Sequence, residues 1–317
     1  MKVFFSDSFQ YNSRRKAVIA LGTFDGMHLG HQILFYKLRS LSSKYNQISM
    51  VYTFLNHPMD VICRSRKPPL LMTVNEKVKA FLDFGLDYAA IVPFTKKFAS
   101  LPYHEFILKL LKNIPIGHIV VGYNFTFGYK GEGNVKHLME MGREHCFQVH
   151  VIPPVTIDGS TVSSTRIRAC IEQGDIEESN RLLGRPYDIS GRVIHGKEIG
   201  RTLGFPTANL SFPYEKIIPR PGVYITLAEL DGRLYPSLSN IGTNPTVTLD
   251  EEIHIETHIL DFKESIYGKN IRIHFLHRIR DEKIFENLQE LSYQINHDIQ
   301  LAREYFGLRR RVSFLHW

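Results

Sequence analysis

Cysteine is scarce in this chain. Its three residues, Cys63, Cys146 and Cys170, are scattered, odd in number and never in CxxC spacing, which argues against a disulfide framework and a structural zinc site. Long apolar runs are missing too: none approaches the ~20 residues that span a bilayer. The opening "MKVFFSDSFQ" turns polar after five residues, too soon for the apolar core of a secretory signal. These absences point to a cytoplasmic protein with reduced thiols and no membrane partner. Acidic charge falls short in one half only. Residues 1–184 carry 22 Lys+Arg against 15 Asp+Glu, whereas residues 185–317 carry 17 of each. The surplus suits a polyanionic ligand such as a nucleotide, and equally a solvated basic surface. No basic stripe interleaved with aromatics supports a nucleic-acid-binding module.

What is present reads as two domains, for which 317 residues are ample. In the first half, short apolar runs at 17–22, 48–54, 88–94, 118–122 and 148–154 alternate with helical patterns over 31–44, 75–84, 103–113 and 134–144. Continuous apolar strands separated by amphipathic helices predict a doubly wound α/β domain with a parallel sheet. Ligands of such sheets bind outside the carboxyl ends of the strands. After "LLGRPY" (182–187) the pattern changes to closely spaced alternating strands, "YDISGRVIHG", "GVYITLAEL", "LYPSLSNIG", "IHIETHIL" and "NIRIHFLHRIR". They predict an antiparallel barrel or sandwich closed by a helix over roughly 284–305. The boundary falls between 184 and 185, where Gly184 suits a helix C-cap with Pro186 just beyond it.

Four stretches bear residues fit for chemistry. "GTFDGMHLGHQ" (22–32) joins the first strand to a helix. Its glycines 22, 26 and 30 allow close backbone approach, the helix N-terminus offers free N–H groups to a phosphate, and His28 and His31 are placed to stabilise phosphoryl charge. Two histidines beside a helix cap, with no ligand, fit the same pattern. "VSSTRIRACI" (162–171) puts three hydroxyls ahead of a helix, with Arg166 or Arg168 to grip phosphate; a well-capped surface helix is the alternative. "GRVIHGKE" (191–198) imitates a phosphate loop but ends in Glu198 where Ser or Thr is required, and no amphipathic helix follows. Beyond it, Thr207 and Asn209 on alternate residues of an extended segment share one face, suited to Mg²⁺ held jointly with nucleotide phosphates, or to turn chemistry around Pro206. In "IHIETHILDF" (253–262), Glu256 shares a strand face with His254 and His258. Inside a barrel mouth it would serve as a general base for a hydroxyl; an exposed polar face is the plainer reading.

Taken together, the motifs "GTFDGMHLGH", "TFLNHP", "VVGYNFTFGYKGEG", "VSSTRIR", "GRTLGFPTANL", "NIGTNPTV" and "IETHILDF" resemble one family over nearly the whole chain: the bifunctional bacterial riboflavin kinase/FAD synthetases. The resemblance implies a nucleotidyltransferase (Rossmann-like) domain over 1–184 and a riboflavin kinase barrel over 185–317. It implies that riboflavin, FMN and ATP are the substrates, with Mg²⁺ accompanying ATP. Glu256 matches the family's catalytic carboxylate, Thr207 and Asn209 the metal–nucleotide position, and Gly200 and Gly204 the nucleotide loop. In the first half, His28 and His31 match the groups that stabilise adenylyl transfer. Gly22, Phe24, Gly30, Ser163, Ser164, Thr165 and Arg168 match the nucleotide site, and Asn124 the flavin or acceptor side. Two departures stand out. The family's "TFxPHP" pattern carries Asn56 here in place of its proline, which implies a local loop change. Tyr123 occupies a position where small or acidic residues are common.

Overall fold

The computed structural model describes residues 1–6, 11, 15–196, 204–244 and 252–309. The chain divides into two compact units, Met1–Ser164 and Thr165–Trp317. Along the first run β1 (Lys2–Phe4), β2 (Ala17–Leu21), α1 (Leu29–Tyr45), β3 (Ile48–Phe54), α2 (Met59–Ile62), α3 (Val74–Asp83), β4 (Tyr88–Val92), α4 (Lys96–Ala99) and α5 (Tyr103–Asn113). There follow β5 (Ile116–Gly122), β6 (Thr126–Phe127), β7 (Gly133–Asn134), α6 (Val135–Glu144), β8 (Gln148–Ile152), β9 (Thr156–Ile157) and β10 (Ser160–Thr161).

Six of these strands build one parallel sheet in the order β1-β4-β3-β2-β5-β8. The chain winds outward from β2 in one direction through β3 and β4, then in the other through β5 and β8. The β2–β5 boundary is therefore the switch point at which such sheets open a crevice. "AVIAL" is apolar throughout because both faces of β2 are covered: Ala17, Ile19 and Leu21 pack into one core, Val18 and Ala20 into the other. On α1, Leu34, Leu38 and Leu41 are buried with Phe35. The sheet's sixth strand, β1, has only three residues, too few to show a period in sequence.

The second unit holds α7 (Ser164–Gln173), α8 (Ile176–Leu183), β11 (Tyr187–Ile194), β12 (Ala208–Ser211), β13 (Gly222–Leu230), β14 (Arg233–Asn244), β15 (Glu252–Ile259), β16 (Asn270–Arg280) and α9 (Leu288–Arg309). Its six strands close into an antiparallel barrel, β11-β12-β15-β14-β13-β16. The five long strands match the sequence expectation; the four-residue β12 completes the ring. Val223, Ile225, Leu227 and Leu238 turn outward under Ala302 and Phe306 of α9. The opposite faces of β13, β14 and β15 point inward and carry a buried hydroxyl row: Thr226 to Ser237 (2.8 Å) and Ser239 (3.0 Å), and Ser239 to Thr257 (2.8 Å). Gly184 ends α8 in the left-handed region (φ 71°), as expected of a C-cap. Helix α8 packs with the barrel: Asn180 donates to the Phe275 carbonyl at 2.8 Å and accepts from the Tyr187 N–H at 2.7 Å.

Candidate functional site

In the first unit the expected anion site stands at the switch point. The loop from Gly22 to His28 turns through three left-handed residues, Phe24, Gly26 and Met27, and is pinned from several sides. The Asp25 carboxylate, itself buried, accepts the backbone N–H groups of Leu71 and Met72 at 2.9–3.2 Å. The Thr23 carbonyl accepts from buried Lys77 Nζ at 2.9 Å and from Thr53 Oγ1 at 3.2 Å. The Asp25 carbonyl accepts from Ser164 Oγ at 2.8 Å. Asp25 and Lys77 are missing from the sequence reading; an acid between two glycines was the one available signal.

The two histidines stack at a ring-centroid distance of 3.7 Å, with the edge of Phe24 against His31 at 5.4 Å. Burial pushes the His28 pKa down to about 4, with Asp25 opposing the shift. Burial likewise holds His31 well below the usual imidazole range, helped by the charges of His28 and Lys77. Both rings are thus neutral at pH 7, and their Nδ1 atoms are buried without a hydrogen-bond partner. Two of the expected glycines, Gly22 and Gly30, lie against aromatic rings. A Cβ on Gly22 would meet the Phe24 ring at 2.9 Å, and one on Gly30 the His28 ring at 3.1 Å. They make room for the rings. Phe24 is 1% exposed and supports His31 from within the core. Of the other expected residues, Ser163 and Ser164 are half-buried and Thr165 exposed; Arg168 is buried, and Arg166 is ion-paired with Glu178 at 2.6 Å. Asn124 is exposed just past the end of β5, its Oδ1 beside Gly122.

In the second unit, strand register brings the kinase candidates together. Asn209 pairs with Glu256 across β12 and β15, and Glu256 with Asn240 across β14. Thr207 lies on the same face as Asn209, and its Oγ1 donates to Glu256 Oε2 at 3.3 Å. This face is not the barrel interior. Ile255, Thr257 and Ile259 fill the inside, so Glu256 stands on the outer wall and not inside a barrel mouth. His258 Nδ1 donates to the Pro206 carbonyl at 2.9 Å and steadies the approach to Thr207. Asn209 lies so close to Gly196 that a Cβ there would sit 2.2 Å from its amide nitrogen. Gly204 is exposed with φ +87°, a turn only glycine adopts freely; Gly200 lies outside the described residues. One neighbour, Glu282, carries no signal in the sequence, and it meets His254 here. Glu282 Oε1 and the His254 ring both come within 2.7 Å of the point a Gly242 Cβ would occupy, and Gly242 pairs with His254 on this same outer face. Beside Thr207 opens a cavity of about 410 Å³ walled by Val193, Ile259, Ile266 and Tyr267.

Two family models match the chain: FAD synthetase over residues 10–166 and riboflavin kinase over residues 183–306. The bifunctional riboflavin kinase/FMN adenylyltransferase of Bacillus subtilis (strain 168) is 37% identical over 301 residues, covering 93% of this chain and 94% of its own. The chain belongs to that family. A second riboflavin kinase/FMN adenylyltransferase, from Escherichia coli (strain K12), is 36% identical over 295 residues, with 92% and 94% covered. Among solved structures, one described as a macrolide-efflux protein from Streptococcus pneumoniae superposes with a TM-score of 0.87 at 30% identity, covering 95% of this chain and 98% of that one. Among the described residues here, no helix is long and apolar enough to cross a membrane.

Proposed function

We propose that this chain makes FMN and then FAD: residues 185–317 transfer the γ-phosphoryl group of ATP to riboflavin, and residues 1–184 join FMN to the adenylyl group of a second ATP, releasing pyrophosphate. The "SSTRIR" segment would serve the adenylyl transfer. The observation that carries the reading is the meeting of Thr207, Asn209 and Glu256 on one barrel face, in a chain whose other unit sets a histidine pair at a sheet switch point.

In the kinase reaction, Glu256 accepts the proton of the ribityl 5′-hydroxyl as its oxygen attacks the γ-phosphorus and ADP departs. The Thr207 hydrogen bond orients the carboxylate. Thr207 and Asn209 offer two hard oxygen donors, and Gly196 leaves space for the Asn209 amide. That set fits Mg²⁺, which takes few protein ligands and keeps substrate oxygens. Once bound, the ion neutralises charge on the ATP phosphates. The cavity beside Thr207, apolar along Val193, Ile259 and Ile266 and polar at Lys263, Glu264 and Ser265, suits the purine base.

In the adenylyl transfer, FMN supplies its own nucleophile: a phosphate oxygen attacks the α-phosphorus, and the bond to pyrophosphate breaks. His28 and His31 meet the phosphates as neutral rings with unpartnered Nδ1 atoms. The arriving polyanion raises their proton affinity, so positive charge forms where negative charge gathers. With Arg166 paired to Glu178, Arg168 is the arginine we assign to the leaving pyrophosphate, together with Ser163, Ser164 and Thr165. Gly22 and Gly30 with Phe24 set the histidine geometry, and Asn124 faces the acceptor. The three cysteines are free thiols, in keeping with work in the cytoplasm. Incubation with riboflavin, ATP and Mg²⁺ followed by separation of the flavins tests the whole reading. FMN and FAD together are expected; FMN alone removes the first half, and neither product overturns it.

A further inference from the structure

Asn56, which stands where the family pattern has proline, makes a contact that proline has no atoms to make. Its Nδ2 donates to the Phe94 carbonyl at 3.0 Å, and its Oδ1 accepts the Phe94 N–H at 2.9 Å. The side-chain amide thereby pairs with both backbone polar groups of Phe94, as a neighbouring strand residue would. It continues the β3–β4 ladder beyond its last backbone bond, from the Leu55 N–H to the Val92 carbonyl at 2.8 Å. A two-point bond of this kind fixes both position and rotation of the Phe94 peptide.

What it fastens is aromatic. Phe54 lies 5.0 Å from Phe94 and 5.4 Å from Phe98 between ring centroids, and Phe94 lies 5.4 Å from Phe98. All three are half-buried, so ring surface stays open. The row continues through Phe106 and Phe127 to Phe125, which follows Asn124, the residue assigned to the acceptor. Just before Phe54, Thr53 binds the Thr23 carbonyl of the loop that carries the histidines. The aromatic group therefore stands at the carboxyl end of the sheet, beside the adenylyl-transfer loop. A flat, electron-poor heterocycle stacks well on such rings.

We infer that Asn56 is a positioning residue for FMN: by holding the Phe94 backbone, it keeps Phe54, Phe94 and Phe98 as an open wall for the isoalloxazine ring during adenylyl transfer. The inference rests on the reading that FMN enters at the Asn124 end of this sheet. FAD formation from FMN, with FMN varied, is to be measured for Asn56→Ala, Phe94→Ala and the double variant, with riboflavin phosphorylation followed in the same preparations. Asn56→Ala raises KM for FMN about tenfold, the scale of losing two neutral hydrogen bonds. It leaves kcat, KM for ATP and riboflavin phosphorylation essentially unchanged. In the Phe94→Ala background it adds nothing, and Asn56→Asp, which keeps the acceptor for the Phe94 N–H, falls between Ala and the parent. If Phe94→Ala raises KM for FMN but Asn56→Ala does not, the clamp is refuted while the acceptor reading stands. If neither moves it, the ring binds elsewhere and both readings fall. A fall in kcat and in riboflavin phosphorylation together with Asn56→Ala reduces Asn56 to a structural residue and overturns the inference.

Discussion

His28 should make the first unit sensitive to mild acid. The folded protein holds this ring, 8% exposed, at a pKa of about 4, against 6.5 for a free imidazole. Between those values the unfolded chain binds a proton that the folded chain refuses. The stability this ring contributes is therefore complete above pH 6.5 and drains away as pH falls towards 4. The full difference is about 3 kcal/mol, and about 2 kcal/mol of it is gone by pH 5. His28→Gln removes the titration and keeps a neutral polar side chain. Amide hydrogen exchange in residues 17–45 of the intact protein, corrected for intrinsic rates and measured at fixed salt at pH 7 and pH 5, reads the opening free energy directly. The parent should lose about 2 kcal/mol more than the variant over that interval. Histidines away from His28 titrate alike in both proteins and drop out of the comparison; His31, held low chiefly by its own burial, loses only the smaller contribution of the His28 charge. ATP bound to the parent should flatten its slope, because the phosphates favour the protonated ring. Equal pH slopes in parent and variant would refute the argument, for they would mean that His28 is not held neutral by burial.

Three further outcomes follow from the same geometry. His31→Ala should cut FAD formation from FMN by on the order of 10²–10³ and spare riboflavin phosphorylation, while Glu256→Gln should do the reverse; loss of both activities in either folded variant would defeat the two-site assignment. Asp25→Ala strands the buried N–H groups of Leu71 and Met72 and should destabilise the first unit by about 2–4 kcal/mol, read by thermal unfolding, with FAD formation falling ahead of FMN formation. Gly196→Ala pushes the Asn209 amide aside and should lower the rate of riboflavin phosphorylation at least about tenfold. Adenylylation of supplied FMN should stay intact; unchanged phosphorylation would remove Asn209 from the site.

Much of this was legible before any coordinates. "AVIAL" and "ISMVYTF" announce buried parallel strands because every position is apolar, and the junction after β2 announces an anion site because the chain must reverse there into a helix. β1 was invisible because three residues show no period, whereas the stretch holding β12 reads as extended through Thr207 and Asn209 but is too short to announce a barrel strand. Glu256 shows a limit of another kind. Alternation along "IHIETHI" separates two faces but does not say which one turns inward. Closure of β11 through β16 decided that, putting Thr257 into the hydroxyl row and Glu256 on the outer wall, where register delivers Asn209 and Thr207 to it.

The amino-acid sequence by itself determined that there are two kinds of fold along the chain, the family it belongs to and which residue types are fit for the chemistry, because period, turn residues and motif spacing are local properties of a chain. Only the tertiary structure decided the state those residues are in. The neutrality of His28 and His31 comes from burial among Phe24, Asp25 and Lys77. The use of Gly22 and Gly30 to seat rings, the Glu282–His254 approach over Gly242 and the hold of Asn56 on Phe94 arise from segments far apart along the chain. Burial and long-range pairing are sums over neighbours that no local stretch contains.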